Sequence, residues 1–363
     1  MTAPVFILTS DTLEPAGAAA RAVTGDVLTL TGPEARHAVS VRRLRTGERV
    51  DLVDGAGLRL VCEAMRPGAP AVREGPGWPD RSDHSGPGRP GGPDRRGRPD
   101  RPDRPKRSGG SDRLTVRVLE RVEEPEPPVR LALVQAPAKG GRDEQAVETA
   151  TEVGVDLVVP WRAGRCVSVW NGPRAARGRA RWEATAREAA KQARRARVPR
   201  VESDRSTREL AAWVRGVTDA GGAVLVLHEE AGTPIGAAAL PEPGDGRAPV
   251  LAVVVGPEGG IGEEEVAALE VAGARSVRLG PHVMRTASAG PVALALLAER
   301  AGLWAAVDRA RDRLDAPRRA GGAVGLRATA RPAESHCAGG GAPTGPVTAP
   351  GPACGDGSAR GGP

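Results

Sequence analysis

Two loops in the second half of the chain carry the residue types that could do chemistry. The first is the turn Gly256-Pro257-Glu258-Gly259-Gly260, and the second runs from Leu279 to Gly290 and includes Arg285. Glycines let backbone N–H and C=O groups approach a flat or charged ligand without a Cβ in the way. A simple chain reversal explains the first turn equally well, but turn chemistry alone hardly accounts for its spacing to the second loop. The pair predicts a ligand site.

The hydrophobic pattern places each loop directly after a strand. Residues 251–255 form an apolar run that is typical of a fully buried strand, and residues 276–279 form a second, shorter strand. In open α/β sheets, ligands bind outside the carboxyl ends of the strands. The two loops are therefore predicted to lie at the same, ligand-binding edge of a sheet.

A helix is predicted after each loop. The first begins with Glu263, Glu264 and Glu265, where acids favour the positive end of the helix dipole, and we expect Val266, Leu269 and Val271 to share one face. The second is strongly apolar and spans about residues 291–303, with Pro291 expected in its first turn, where the fixed φ of proline suits a helix start.

The preceding segment alternates strands and helices, which predicts a parallel sheet and the α/β class. The predicted elements are strand 131–136, a helix that ends near Val153, strand 155–161, helix 174–193 and strand 223–227. We expect this unit to span residues 125–304, with Pro125–Pro128 at its boundary.

A small β-barrel is predicted before it, in residues 1–65 and 114–124. Its expected strands are 5–8, 27–30, 49–53, 58–64 and 114–122. Residues 32–45 lie between two of these strands and are expected to form one short helix that ends in a basic cluster.

Charge says little about the folded part. Residues 66–113 and 317–363 are rich in Pro, Gly and Arg and are predicted to be disordered, because they cannot bury enough apolar surface. They carry charge surpluses of about +5 and +3. Their sum exceeds the net charge of +7, so the rest of the chain has a net charge of about −1. The chain has no tyrosine and a single phenylalanine, so aromatic stacking platforms for RNA are scarce.

Cysteine spacing and hydropathy point to an intracellular protein. Cys62, Cys166, Cys337 and Cys354 show no metal-ligand spacing and are expected to be free thiols, with no metal bound. The chain shows neither a secretory signal nor an apolar run of about 20 residues, the length needed to span a bilayer. We therefore expect a cytoplasmic location.

The two loops also resemble a known family. The turn 256–260, the step Leu279-Gly280-Pro281 and the segment Met284-Arg285-Thr286 are similar to the C-terminal signature of the RsmE family, within the SPOUT class of methyltransferases. The resemblance implies a SPOUT-type parallel sheet with a C-terminal trefoil knot, preceded by a PUA-like barrel. It further implies a homodimer that binds S-adenosylmethionine in the knotted loops and methylates N3 of a uridine in 16S ribosomal RNA, expected within the 30S subunit.

The resemblance also assigns site residues. The catalytic candidates are Arg285, Glu258 and Ser288. The cofactor-binding candidates are Leu227, His228, Glu229, Gly256, Pro257, Glu258, Gly259, Gly260, Leu279, Gly280, Val283, Met284, Arg285 and Thr286. The family often has a polar residue after the Arg-Thr pair, where this chain has Ala287 followed by Ser288.

Methylation at N3 of uracil requires that its proton leave before or during the attack. Arg285 could stabilise the resulting anion, and Glu258, Glu229 or His228 could accept the proton; the sequence leaves this choice open. In-line methyl transfer otherwise demands mainly the alignment of donor and acceptor.

RNA contacts are expected from arginine and lysine side chains, because guanidinium forks pair with phosphate oxygens. The candidates are Arg36, Arg42, Arg43, Arg45, Lys139, Arg142, Arg195 and Arg197. An ordinary solvated helix face, or basic residues at a helix C-terminus, is the structural alternative. Near the last two, Lys191 stands where the family has an acid and Arg194 where it has a glycine.

Two other functions fit the same fold. One is another SPOUT RNA methyltransferase, acting on ribose 2′-oxygen or on transfer RNA. The other is a non-catalytic RNA-binding protein, which the residue Ala287 would favour. A Rossmann dehydrogenase is unsupported, because no G-x-G-x-x-G fingerprint follows an early strand with an acid about 20 residues on.

Overall fold

The computed structural model describes residues 3–66, 112–168, 170–244 and 246–304. These residues form two sheets that belong to one compact unit, Met1–Leu314. The predicted disorder of residues 66–113 and 317–363 falls almost wholly outside the described residues, as do Cys337 and Cys354.

The first sheet has six strands in the order β1-β4-β5-β6-β3-β2. They are β1 (Val5–Ile7), β2 (Leu13–Glu14), β3 (Val27–Thr31), β4 (Arg49–Val53), β5 (Leu58–Ala64) and β6 (Arg113–Glu123). Helix α1 (Gly32–Arg36) follows β3 and continues into a π-helical turn, His37–Val41. The predicted strands are confirmed, and the predicted single helix is an α-helix that widens into this turn.

The six strands surround one hydrophobic core. Its buried side chains come from every strand of the sheet and from α1, and they include Phe6, Leu30, Leu52 and Leu60. In β6 the residues alternate between buried and exposed over its first half, as expected for a strand with one face toward a core. Burial of these apolar faces is the main stabilising contribution to this part.

The second sheet has seven strands, all parallel, in the order β10-β8-β7-β12-β11-β13 with β9 beside β8. They are β7 (Arg130–Gln135), β8 (Leu157–Arg162), β9 (Arg200–Val201), β10 (Arg205–Ser206), β11 (Ala223–Leu227), β12 (Val250–Val255) and β13 (Arg275–Val277). The predicted α/β class with a parallel sheet is confirmed.

Helices cover both faces of this sheet. Helices α2 (Arg142–Val153), α3 (Pro173–Gln192) and α6 (Thr286–Arg300) pack on one core, and α4 (Thr207–Asp219) and α5 (Glu263–Val271) pack on the other. The strands β7 and β12 are almost entirely buried because they lie in the middle of these three layers. Because all seven strands are parallel, the loops that follow them open at the same edge of the sheet, where the carboxyl ends of the strands lie.

Charged side chains join the first sheet to α3 and to the chain that follows it. Lys191 Nζ lies 3.1 Å from Glu34 Oε1, and both side chains are largely buried. Arg197 donates from Nη2 to the carbonyl oxygen of Glu124 at 2.7 Å and from Nη1 to that of Ala56 at 2.5 Å. A Cβ on Gly57 would lie 2.5 Å from the Arg197 guanidinium, so this contact requires glycine there.

Two details of the predicted helices were wrong. Pro291 lies inside α6 instead of in its first turn, because hydrogen bonds of the Thr286 hydroxyl fix the helix start five residues earlier. Val271 is 83% exposed at the end of α5, where only Leu269 is fully buried and Val266 is partly buried. Among the described residues, no helix is long and apolar enough to cross a membrane.

Candidate active site

The turn after β12 is shaped by close packing within itself. A Cβ on Gly256 would lie 2.5 Å from Cγ1 of Ile261, and Gly260 adopts a φ of +74°. Both positions therefore need glycine for steric reasons that involve no ligand. Pro257 is buried, whereas Glu258 and Gly259 are exposed at the edge of the sheet.

The segment after β13 leaves its backbone open. Among the described residues, no backbone N–H of residues 279–285 donates a hydrogen bond; residue 281 is a proline and has no N–H. No atom lies within 4 Å of the position that a Cβ on Gly280 would take. Unpaired backbone groups beside open space are what a bound adenosine needs in order to be held by main-chain contacts.

Thr286 connects this segment to two neighbouring strands. Its Oγ1 donates to the carbonyl oxygen of Gly256 at 3.0 Å and accepts from Nε2 of Gln135 at 2.9 Å. Gln135 is completely buried at the end of β7, and its Nε2 also donates to the carbonyl oxygen of Ala136. The Thr286 hydroxyl thus holds the start of α6 against β7 and β12, and its predicted contact with a cofactor stays a prediction.

Glu258 is bound to the loop after β7. Its Oε1 accepts from the backbone N–H of Lys139 at 3.2 Å and from Nη1 of Arg142 at 3.3 Å. Burial alone would raise the pKa of Glu258, but hydrogen bonds from its own amide, from Lys139 and from Arg142 hold that pKa below its usual value. A carboxylate with a lowered pKa is a weak proton acceptor, which favours a structural role; the predicted catalytic role of Glu258 stays a prediction.

We expect a Glu258→Gln variant to keep the rate of the methyl transfer that the resemblance implies within about tenfold of the wild type, because Gln retains an acceptor for the amide of Lys139. A general base contributes roughly 10²–10⁴-fold. The measurement is kcat across pH 6–9. A loss of more than about 100-fold, or the disappearance of an acidic limb from the pH profile, would return Glu258 to the role of the base.

The remaining predicted cofactor residues border the same edge. His228 and Leu227 are half-buried at the end of β11, and His228 accepts a hydrogen bond at Nδ1 from the amide of Glu230. Val283 and Met284 are exposed. Leu279, Gly280 and the turn 256–260 lie at the ends of β13 and β12.

The start of α6 presents Arg285 and Ser288 at this edge. Arg285 is exposed, and its side chain has no hydrogen-bond partner among the described residues. Ser288 is half-buried and its hydroxyl is equally unpartnered in that part of the chain. Ala287 is 6% exposed, so the position that is often polar in the family points into the packed interior here.

The predicted RNA contacts beside the first sheet lie at the surface. Arg42, Arg43 and Arg45 are exposed at the end of the π-helical turn, and Arg43 has a φ of +53°. Arg36 is exposed and forms a bidentate pair with Asp112, with distances of 3.0 Å and 2.7 Å. On the second sheet, Lys139 is exposed and Arg142 is partly exposed.

Arg195 and Arg197 require a correction. Arg195 is largely buried; it donates to the carbonyl oxygens of Thr151 and Val155 at 2.8 Å and 2.6 Å and lies 3.2 Å from Asp156. Arg197 is occupied by the junction contacts described above. Internal carbonyl groups therefore hold both guanidinium groups, in place of the predicted RNA contacts.

Gln135 is a site residue that the sequence did not predict. A polar residue at the end of an otherwise apolar strand is the signal that could have identified it, because a buried amide must find hydrogen-bond partners. The described residues contain no cluster of His, Cys, Asp and Glu that could hold a metal ion. Cys62 and Cys166 are free thiols, and burial raises the pKa of Cys166 to about 11.

Known proteins match both halves of this arrangement. A family model described as an RNA methyltransferase domain matches residues 125–298, and one described as an RNA methyltransferase PUA domain matches residues 30–63. The two matches define the chain as an RNA methyltransferase with a PUA domain.

Individual relatives narrow the assignment. Ribosomal RNA small subunit methyltransferase E of Mycobacterium bovis is 39% identical over 283 residues, which cover 77% of this chain and 89% of the relative. The Bacillus subtilis protein of the same name is 25% identical over 271 residues, covering 74% and 88%. The chain belongs to the ribosomal RNA small subunit methyltransferase E family, the RsmE family.

A solved structure shares the fold. The Neisseria gonorrhoeae ribosomal RNA small subunit methyltransferase E bound to S-adenosylmethionine aligns with a TM-score of 0.59 and 22% identity, over 82% of this chain and 98% of that one.

Proposed function

We propose that this protein transfers a methyl group from S-adenosylmethionine to N3 of a uridine in 16S ribosomal RNA. Membership of the family and the open backbone of residues 279–285 beside the turn 256–260 support the proposal. The bound cofactor supplies a sulfonium methyl group that is transferred by in-line displacement.

The residues at the edge of the sheet fit this cofactor. Unpaired amides of residues 279–285 and carbonyl groups of residues 279–284 offer main-chain hydrogen bonds, and Leu227 and Val283 offer apolar contact with the adenine ring. In the proposal His228, Glu229 and Gly256–Gly260 border the same site. The chain contributes alignment more than chemistry, as expected for a displacement at carbon.

Arg285 is the residue on which the proposed chemistry depends. Its exposed cation lies at the end of residues 279–285 and directly precedes α6. A cation beside uracil favours transfer of the N3 proton to one of the candidate acceptors Glu258, Glu229 and His228, because it stabilises the uracil anion that remains. Ser288, one helical turn further on, offers an unpartnered hydroxyl group near the same position.

RNA binding in this proposal uses two groups of cations. Arg36, Arg42, Arg43 and Arg45 lie on the PUA-like part, and Lys139 and Arg142 lie beside the turn 256–260. Phosphate contacts of this kind give affinity that falls with salt.

The finer architecture is also part of the proposal. We infer a PUA-like barrel in residues 1–65 and 114–124, a methyltransferase unit in residues 125–304 and a trefoil knot in its last part. Supporting the knot, α6 returns from β13 to pack on α2, and Arg300 donates to carbonyl oxygens of Ile235 and Ala238 in the connection between β11 and β12.

A homodimer through α6 is supported by an exposed apolar patch. Val292 and Leu296 lie one turn apart on α6 and are 38% and 45% exposed, with Val283 and Met284 exposed on the preceding loop. Exposed apolar side chains that lie together are typical of interaction sites. The 30S subunit as substrate places the protein in the cytoplasm, where ribosomes assemble.

We expect a Leu296→Glu variant to be monomeric in light scattering, because a charge would be buried in the interface. Val271→Glu is the matched control: Val271 is more exposed and lies on α5, on the opposite face of the sheet. A wild-type protein that is itself monomeric would refute the dimer.

The test of function is transfer from labelled S-adenosylmethionine to 30S subunits that lack the modification, followed by nucleoside mass spectrometry. The expected product is N3-methyluridine. A 2′-O-methylated nucleoside, or transfer to transfer RNA alone, would indicate another SPOUT activity. Absence of cofactor binding would indicate a non-catalytic RNA-binding protein.

A further inference from the structure

A third cation lies against the turn 256–260. Arg165 follows β8, is exposed, and donates from Nη1 to the carbonyl oxygen of Gly259 at 3.3 Å. The position of a Cβ on Gly259 lies 3.3 Å from both Cβ and O of Arg165, so the loop after β8 rests directly on the turn. A guanidinium group has five N–H donors, and the remaining ones have no other partner among the described residues.

Two loops contact the turn 256–260, one at the Glu258 carboxylate and the other at the Gly259 carbonyl group. Glu258 Oε1 accepts from the amide of Lys139 and from Arg142, and Arg165 contacts the next residue but leaves this carboxylate alone. Glu265 also faces the loop, but its oxygens accept from the amides of Gly164 and Gly262 and from the Thr207 hydroxyl. Three cations, Lys139, Arg142 and Arg165, thus stand against the two carboxylates of Glu258 and Glu265.

The start of α3 adds to this charge at the same edge. Arg174 and Arg177 are exposed in its first turns, and the first turn of this helix contains no acid. Cations are unfavourable at the positive end of a helix dipole. Arginines in this position lower the stability of the helix. Natural proteins accept such unfavourable placements at functional sites, here one that could bind an anion.

We propose that Arg165, with Lys139 and Arg142, binds the RNA phosphate group next to the nucleoside that enters the active site. The proposal rests on the proposed function and adds Arg165 to its RNA contacts. A planar guanidinium presented edge-on can pair with two phosphate oxygens, while its contact with Gly259 holds it beside the cofactor turn. Anchoring one flanking phosphate fixes the register of the target base against the methyl donor.

The test compares Arg165→Ala, Arg165→Lys and Arg215→Ala in the full-length protein. Arg215 is a matched control because it is exposed on α4, on the other face of the sheet. Affinity for 30S subunits lacking the modification is measured at several salt concentrations, without cofactor. Calorimetry gives the affinity for S-adenosylmethionine.

For Arg165→Ala we expect about tenfold weaker RNA binding, the usual effect of one charge-assisted hydrogen bond. The slope of log affinity against log salt should fall by about 0.7–0.9, the value for one phosphate contact. Cofactor affinity should be unchanged. Arg165→Lys should keep the slope but recover only part of the affinity, and Arg215→Ala should match the wild type.

An unchanged salt slope in Arg165→Ala, with normal methylation by the wild type, would overturn the phosphate contact and leave the proposed function intact. Loss of cofactor affinity in Arg165→Ala would show that Arg165 only supports the turn, which also overturns it. A wild type that does not bind the subunit would overturn both proposals together.

Discussion

A Thr286→Val variant is expected to lose at least about tenfold in affinity for S-adenosylmethionine and about 2–4 kcal/mol in the free energy of unfolding. Valine has nearly the same shape but removes both hydrogen bonds of the hydroxyl, which leaves Gln135 Nε2–H and the Gly256 carbonyl without that partner. Each buried polar group left unpaired costs roughly 1–3 kcal/mol. Urea unfolding and calorimetric titration with the cofactor measure the two effects.

Thr286→Ser is the matched control, since serine keeps the hydroxyl group and loses only a methyl group. We expect it to restore cofactor affinity to near the wild-type value at a small cost in stability. If Thr286→Val binds the cofactor normally once it is folded, the link between β7, β12 and α6 has no part in positioning the site.

An Arg195→Met variant is expected to have a free energy of unfolding about 3–5 kcal/mol lower than the wild type, which is the usual cost of breaking a buried ion pair by removing one partner. Asp156 would keep only its hydrogen bond from the amide of Leu131, and the carbonyl groups of Thr151 and Val155 would lose their donor. Chemical denaturation at pH 7 provides the measurement.

The loss should depend on pH. Burial raises the pKa of Asp156 even though Arg195 lies beside it. Removal of Arg195 would raise this pKa further, because the charged carboxylate would lose its partner. Ionising buried Asp156 then costs the variant more stability than the wild type as the pH rises above the unfolded-state pKa, so the difference in unfolding free energy should widen from pH 4 to pH 7. A gap that is constant across this range would contradict the role given to Asp156.

Arg42→Met is the reciprocal control for Arg195→Met. Arg42 is exposed, so its replacement should alter stability by less than about 0.5 kcal/mol and yet weaken binding to RNA. The folded fraction of Arg195→Met should bind RNA normally. Equal loss of RNA affinity in both variants would restore Arg195 as an RNA contact.

The sequence predicts most of the fold because its main signals are local. The strands β4, β5 and β11 have the predicted bounds, since alternation or a short apolar run is visible within five to seven residues. The short strands β2, β9 and β10 were not predicted, because two residues carry no periodicity and depend on a distant partner. Helix α4 was overlooked, although Ser206 and Glu209 form a capping box at its start.

The site is less predictable because its contacts join residues far apart in the chain. Glycine, proline and arginine types located the two loops, but the distinction between Arg42 and Arg195 depends on burial alone. The start of α6 at Thr286 was likewise hidden, since Gln135, its partner, lies 151 residues earlier. Local patterns place the ligand-binding edge, and tertiary contacts decide which side chains face it.

The junction between the two sheets has a consequence for the choice of substrate. Arg197 and the Lys191–Glu34 pair fix the arginines of the PUA-like part relative to the catalytic edge. The protein thereby sets the distance between the RNA segment that these arginines bind and the nucleotide at the catalytic edge. An RNA already folded within a ribosomal subunit can match that span in advance, whereas a loose strand must first lose conformational entropy to do so.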